Sequence, residues 1–189
     1  VGGESLAMWR DYFGKGTIVG VDIYPKTLDL GDRVHIEHGD ITDRRVISHL
    51  AETYGPFDVI IDDGSHRCDD VVAAWTYLWE HVKDGGWYCV EDLQTAYWPE
   101  YGGSSTRTGE TTIGWLYGLI NHLHYADLNL SNYLVTHYDE TLVGLEISRN
   151  LAFIRKGDNT KPSNIMPPHP HGIVGIAAPD GVSIEVTEG

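Results

Sequence analysis

The sequence predicts an α/β fold with a mostly parallel sheet, helices on both faces and antiparallel C-terminal strands. Three observations carry that expectation. Short β-branched or apolar runs alternate with segments of helical period through the first half of the chain. Runs in the second half follow one another with only turn residues between them, the mark of antiparallel neighbours. The length of 189 residues, 41% of them hydrophobic, suits one substantial core better than two.

Each element has its own signal. "ESLAMWRDYF" (4–13) has helical period, and "GTIVGVDIYP" (16–25) is a β-branched run ending in Asp-Ile-Tyr-Pro. "RVHIEHGD" (33–40) alternates as a strand, and "DRRVISHLAETYG" (43–55) returns to helical period. "FDVIID" (57–62) and "GWYCVED" (86–92) are the continuous apolar runs of buried strands. Between them "DDVVAAWTYLWEHVKDGG" (69–86) predicts a helix closed by its glycine pair. A Gly-, Ser- and Thr-rich stretch over 93–112, seeded with Tyr97 and Trp98, predicts a mobile lid. "TIGWLYGLINHLHYAD" (112–127) predicts another helix. "YLVTHYDETLVGLEISRNLAFIRKG" (133–157) predicts a pair of strands and a third, with Asp-Glu-Thr and Arg-Asn as turns. Residues 1–157 then form one domain, and 158–189 an irregular Pro-rich tail whose His169 and His171 read as decoration.

Charge and cysteine usage bound the partners. Thirteen Lys plus Arg against 28 Asp plus Glu give a formal charge of -15, which repels nucleic acid and anionic lipid alike. Cys68 and Cys89 have no spacing for a disulfide framework or a zinc site, and no apolar run approaches membrane-spanning length. A cytoplasmic protein is the expectation.

In an open parallel sheet ligands bind beyond the carboxyl ends of the strands, and four strand ends here are acidic. Asp22 ends the first, in the position where an acid commonly takes ribose hydroxyls. Gly39-Asp40 follow the second, with a glycine that lets a flat ring approach the backbone. Asp62-Asp63 end the third and Glu91-Asp92 the fourth. Singly each reads as a turn residue or a helix cap. Together, Asp63, Glu91 and Asp92 on neighbouring strands would repel one another unless a hard divalent cation, Mg²⁺ before Ca²⁺, lay among them. His66, a turn beyond Asp63, would then stand over the metal as a proton acceptor. The competing reading makes Asp63–His66 a strand-to-helix turn, capped by Ser65 or Asp69, with a histidine that only packs. These residues alone leave both readings open.

Three stretches, "VGGESLAMWRDYFGKGTIVGVDIYPK" (1–26), "YGPFDVIIDDGSH" (54–66) and "GGWYCVEDLQTAYWP" (85–99), closely resemble the metal-dependent sugar O-methyltransferases of the macrocin and mycinamicin type. The resemblance runs from Val1 to about Gly157. It implies a Rossmann-like class I methyltransferase fold, S-adenosyl-L-methionine as donor with S-adenosyl-L-homocysteine as product, and Mg²⁺. Carried over by position, it implies Asp63, Glu91 and Asp92 as metal ligands and His66 as general base. Asp22 is implied on the donor's ribose, and Gly39, Asp40 and Ile41 beside its adenine. Gly2 and Gly3 match the tail of a glycine loop under its methionine part, and Asp62 is placed with the donor-binding residues. Tyr97 and Trp98 match residues beside the acceptor.

The implied acceptor is a glycoside or oligosaccharide: a deoxysugar on a natural product, or a hexose of a polymethylated polysaccharide precursor. A homo-oligomer, dimer or tetramer, is also implied. The family's first strand and most of its glycine loop would precede Val1, so a gap is expected in the middle of the sheet. Two other classes compete. A nicotinamide oxidoreductase would share the sheet and Asp22 but has no use for three convergent carboxylates. A non-catalytic sugar-binding module would explain the aromatics alone.

Overall fold

A computed structural model describes residues 3–106, 110–128 and 132–161. Gly2, most of the Pro-rich tail, His169 and His171 lie outside the described residues.

The first half alternates as expected. Helix α1 (Glu4–Tyr12) precedes strands β1 (Ile18–Asp22) and β2 (Val34–His38), helix α2 (Arg44–Tyr54) and strand β3 (Phe57–Asp62). Helix α3 (Cys68–Leu78) and strand β4 (Val82–Val90) follow, and β1–β2 and β3–β4 are parallel pairs. Asp43 caps α2 by accepting the Arg45 N–H at 2.9 Å, a standard N-cap bond.

Beyond β4 come helix α4 (Thr112–Leu123), a short helix α5 (His137–Thr141) and strands β5 (Leu142–Ser148) and β6 (Leu151–Lys156). β6 lies antiparallel between β4 and β5, which gives the antiparallel C-terminal edge. The turn predicted at Arg149-Asn150 is present, with Asn150 at a left-handed φ of 65°.

Two elements depart from the sequence reading. The predicted helix over 69–86 stops at Leu78, passes through one 3-10 turn and becomes β4 at Val82, three residues before the glycine pair. Those glycines serve an excursion of the strand instead. Phe57 pairs with Val82 but Val59 with Trp87, so β4 loops out between the two pairs. Gly85 sits at φ +82°, and a Cβ on Gly86 would stand 2.8 Å from two backbone carbonyls. The first strand predicted within 133–157 is instead replaced by α5. Thr136 and Asp139 form a capping box there, a local helix-start signal that overrides the apparent alternation.

One core unites α3, α4 and the four strands β3-β4-β6-β5. Trp79, Tyr88, Leu116, Leu142, Ala152 and Ile154 are all at 0% exposure. Lys156 closes the end of α3 by donating from Nζ to the carbonyls of Trp79 (2.8 Å) and Glu80 (3.1 Å). β1 and β2 form a separate two-stranded sheet. Between β1 and β3, each paired on one edge only, runs a cavity of about 600 Å³ lined by residues of both strands.

Candidate active site and metal centre

The acidic strand ends meet because the ladder carries them there. The Glu91 N–H donates to the Asp62 carbonyl at 3.0 Å, the last bond between β3 and β4, so the residues that follow each strand emerge side by side. Both chains then turn sharply. His66 and Asp92 adopt left-handed φ values of 57° and 54°, each a conformation that costs an L-residue of order 1 kcal/mol or more. The Asp92 turn is held from behind. Its carbonyl accepts the Thr95 hydroxyl (2.8 Å) and N–H (3.1 Å), and the Leu93 N–H donates to the Asn150 carbonyl of the β5–β6 turn at 3.2 Å.

His66 Nε2 stands 3.7 Å from Asp63 Oδ1 and 3.5 Å from Asp92 Oδ2. Ligand atoms of Asp63, His66 and Asp92 all lie within 4.8 Å of one another. Glu91 stands in the field of the other two carboxylates: partial burial, then Asp63 and Asp92, raise its pKa, and His66 opposes them. Such a group fits a hard, oxygen-preferring dication, which removes the repulsion that raises Glu91. The turn also shows part of the competing reading. Ser65 Oγ accepts the Arg67 N–H at 3.2 Å and donates to Asp70 at 2.6 Å, so it does organise the helix start. His66, however, faces the carboxylates.

The cavity between β1 and β3 ends at this group, since Asp62, Asp63, Gly64 and Glu91 line it. Asp22 and Lys26 line it too, as do Gly3 and Ile41. Asp22 Oδ1 accepts the Tyr24 N–H at 2.8 Å and Oδ2 pairs with Lys26 Nζ at 3.1 Å, and those contacts, Tyr24 first, lower its pKa. Gly3 caps α1 at φ +107°, and a Cβ there would meet Leu28 at 2.6 Å.

Gly39 and Asp40 are not among the cavity-lining residues. Gly39 packs against Val46, where a Cβ would come within 2.7 Å, and its N–H donates to the Asp22 carbonyl. The Asp40 carboxylate is engaged by the Thr42 N–H and hydroxyl, an Asx turn. Tyr97 and Trp98 are exposed (41% and 44%) and stand outside the cavity. Tyr97 ends the 3-10 turn Leu93–Tyr97, and Trp98 is the extended residue between it and a second turn, Pro99–Tyr101, in the stretch expected to form a lid. Leu93, Thr95 and Ala96 anchor that stretch in the interior, and Arg67 Nη1 ties it to the α3 start through the Glu100 carbonyl at 3.2 Å.

Sequence reasoning missed two neighbours of the site. Lys26 follows Asp22 by one helical turn's spacing but was masked by the proline before it. Tyr88 reads as one more core aromatic of β4, yet its hydroxyl donates to Asp62 Oδ2 at 3.0 Å. The two cysteines are free and buried, and burial foremost pushes the Cys89 thiol up to about 11. Among the described residues no helix is long and apolar enough to cross a membrane.

No family model matches the sequence. Curated relatives do. A tetracenomycin 3'-O-methyltransferase of Streptomyces olivaceus, acting on a methoxyrhamnosyl derivative by its name, is 42% identical over 163 residues. The match covers 85% of this chain and 42% of that protein. The demethylmacrocin O-methyltransferase of Streptomyces fradiae is 40% identical, over 85% of this chain and 41% of its own. The mycinamicin VI 2''-O-methyltransferase of Micromonospora griseorubida is 38% identical, over 84% and 40%. Among solved structures, the MycE methyltransferase in complex with Mg, SAH and mycinamycin VI superposes with a TM-score of 0.81 at 36% identity. That superposition covers 88% of this chain and 44% of MycE. The chain thus spans about two-fifths of the length of its relatives. Over that span it is a homologue of the macrocin and mycinamicin type of sugar O-methyltransferases and has their α/β methyltransferase fold.

Proposed function

We propose that this chain carries the donor- and metal-binding part of an O-methyltransferase that uses S-adenosyl-L-methionine and Mg²⁺ to methylate a sugar hydroxyl of a glycosylated natural product. One observation carries the reading. The convergent Asp63, His66 and Asp92, with Glu91 beside them, stand at the end of the cavity that Asp22 also lines. The names of the relatives and the Mg, SAH and glycoside in the MycE complex support the same chemistry.

Each residue has a task in it. Asp63, Asp92 and Glu91 hold the metal, which when bound orients the acceptor's hydroxyls and makes them more acidic. His66 Nε2, 3.5 Å from Asp92 and 3.7 Å from Asp63, takes the proton as the sugar oxygen attacks the methyl group. Asp22 receives the ribose hydroxyls, and Ile41 and Gly3 border the adenosine and the methionine part. Tyr97 and Trp98, exposed just beyond Asp92, offer flat faces to the acceptor. Along residues 18–21 and 59–61 the slot between β1 and β3 suits one further parallel strand from the rest of a longer protein, and its carboxyl end, at Asp22 and Asp62, is left to the donor.

Hydride transfer, the nicotinamide alternative, gives Asp63 and Asp92, convergent with His66 and with Glu91 in their field, nothing to do. A sugar-binding module would need no His66. A methyl-transfer screen over free and conjugated sugars, with and without Mg²⁺ and read by mass, tests the reading. A gain of one methyl that disappears with chelator is expected, and chelator-resistant transfer or none on any glycoside would sink it.

A further inference from the structure

We propose that Tyr88 is a positioning residue that presents the Asp62 carboxylate to the ammonium group at the amino-acid end of the methyl donor. The proposal rests on the donor reading above and names which part of the donor Asp62 takes.

Tyr88 is fully buried in the main core, where a phenylalanine ring would fill the same space. Its hydroxyl is therefore the feature to explain. Tyr88 pairs across the ladder with Ile60, and the hydroxyl reaches two residues along β3, on the same face of the sheet, to Asp62 Oδ2 at 3.0 Å. The other oxygen, Oδ1, accepts the Gly64 N–H at 3.3 Å. Each carboxylate oxygen thus carries one neutral donor and keeps further acceptor capacity.

Asp62 is half-buried and lines the cavity, and among the described residues it forms no ion pair with a lysine or arginine. A partly desolvated carboxylate facing an open cavity is costly unless a cation meets it there. Asp22 lines the same cavity as the candidate ribose site, and a donor bound through its ribose must send its amino-acid end elsewhere along that space. The ammonium, with three N–H donors, makes charge-assisted hydrogen bonds to a carboxylate, whereas the sulfonium has no N–H or O–H to donate. Tyr88 fixes the rotamer that makes Asp62 available, and Gly64 fixes it from the other side.

Calorimetric titration of the full-length protein with two probes tests this. S-adenosylhomocysteine keeps the amino-acid end, and 5'-methylthioadenosine lacks it. Tyr88→Phe should weaken the first about tenfold and leave the second unchanged. The donor's KM should rise with kcat nearly constant, and Mg²⁺ affinity should not move. Asp62→Asn should show the same selective loss, and the double variant no further loss, because both act through one contact. Equal weakening of both probes, or of neither, would overturn the proposal. Should Tyr88→Phe fail to fold, Asp62→Asn carries the same comparison of probes. If the wild-type protein bound neither probe, the donor reading itself would fall, a result distinct from binding that the variants do not discriminate.

Discussion

The two sheets of this chain are made of similar residues and bury them very differently. None of α1, β1 or β2 contains a fully buried residue, whereas β4, β5 and β6 contribute Tyr88, Leu142 and Ile154 at 0% exposure. The difference is not one of hydrophobicity, since Ile18, Val19 and Val21 are as apolar as the residues of β4. It lies in what stands alongside. β4 has a strand on each edge and α3 against it, while β1 has β2 on one edge and the cavity on the other. Strand character comes from the local run of residues; burial comes from neighbours. The site straddles this boundary, with the candidate ribose acid Asp22 on the thinly packed sheet and the carboxylate group on the dense one.

Metal chemistry needs ligands held to within fractions of an ångström, and the dense sheet provides that support. The sharpest way to break the comparison is therefore Asp63→Ala. Asp63 is exposed at the rim, beyond the core, so its loss should reduce Mg²⁺-dependent methyl transfer to background while leaving the melting temperature where it was. A variant that melted early would mean that the rim carries stability as well as chemistry, and that the two sheets differ less than their burial suggests.

Trp79→Ala probes the other side of the contrast. Trp79 is fully buried, packs on Trp75 at 5.5 Å between ring centroids and donates from Nε1 to Thr141 at 2.9 Å. Its removal should cost about 3–5 kcal/mol in urea unfolding.

Much of this arrangement was legible in the sequence. The bounds of β3 matched its apolar run residue for residue, and acids of three of the four strand ends, Asp22, Asp62-Asp63 and Glu91, line one cavity, whereas Asp40 turns back on Thr42. What the sequence hid was non-local. Gly85-Gly86 carries a helix-stop composition, and only the pairing of Val59 with Trp87 reveals that it serves a bulge. Tyr133 to Tyr138 reads as a strand ended by an Asp-Glu-Thr turn; the Thr136–Asp139 capping box that makes it a helix start is local, but the burial of Asp139 as an acceptor for His122 on another helix is not. Tyr88 shows the same limit, because a hydroxyl inside an apolar run discloses its partner only when the neighbouring strand is in register.

Asp139 gives the pH dependence of the dense region. It is fully buried, and burial alone would raise its pKa. The Thr136 N–H (2.6 Å) and hydroxyl (2.7 Å), His122 Nδ1 and the Tyr133 hydroxyl (each 2.8 Å) outweigh that and hold it below the usual carboxylate range. A folded-state pKa below the unfolded one, near 3.9, gives stability that is full above the unfolded value and lost as pH falls through the folded value. Asp139→Asn should cost about 2 kcal/mol at pH 7, since an amide turns donors toward donors. That difference from wild type should shrink in thermal melts as the pH drops below 4. A gap that stayed constant into acid would show that the network tolerates a protonated carboxyl, and the pKa assignment would fail.

Val19→Ala carries the smallest expected effect and bears most directly on the boundary. Val19 is half-buried, pairs with His35 and lines the cavity, so deleting its methyl groups should cost below about 1 kcal/mol in urea unfolding of residues 1–189. The comparison with Trp79→Ala is informative only if both variants keep the wild-type m-value, which reports the surface exposed on unfolding. A cost for Val19→Ala equal to that of a buried position would mean that the cavity-side face of β1 is covered in the folded protein. The same substitution in a longer protein should then read differently. If a further strand occupies the slot there, Val19 becomes a core residue, and the cost should rise toward the range of β4 while the carboxylate rim stays as it is.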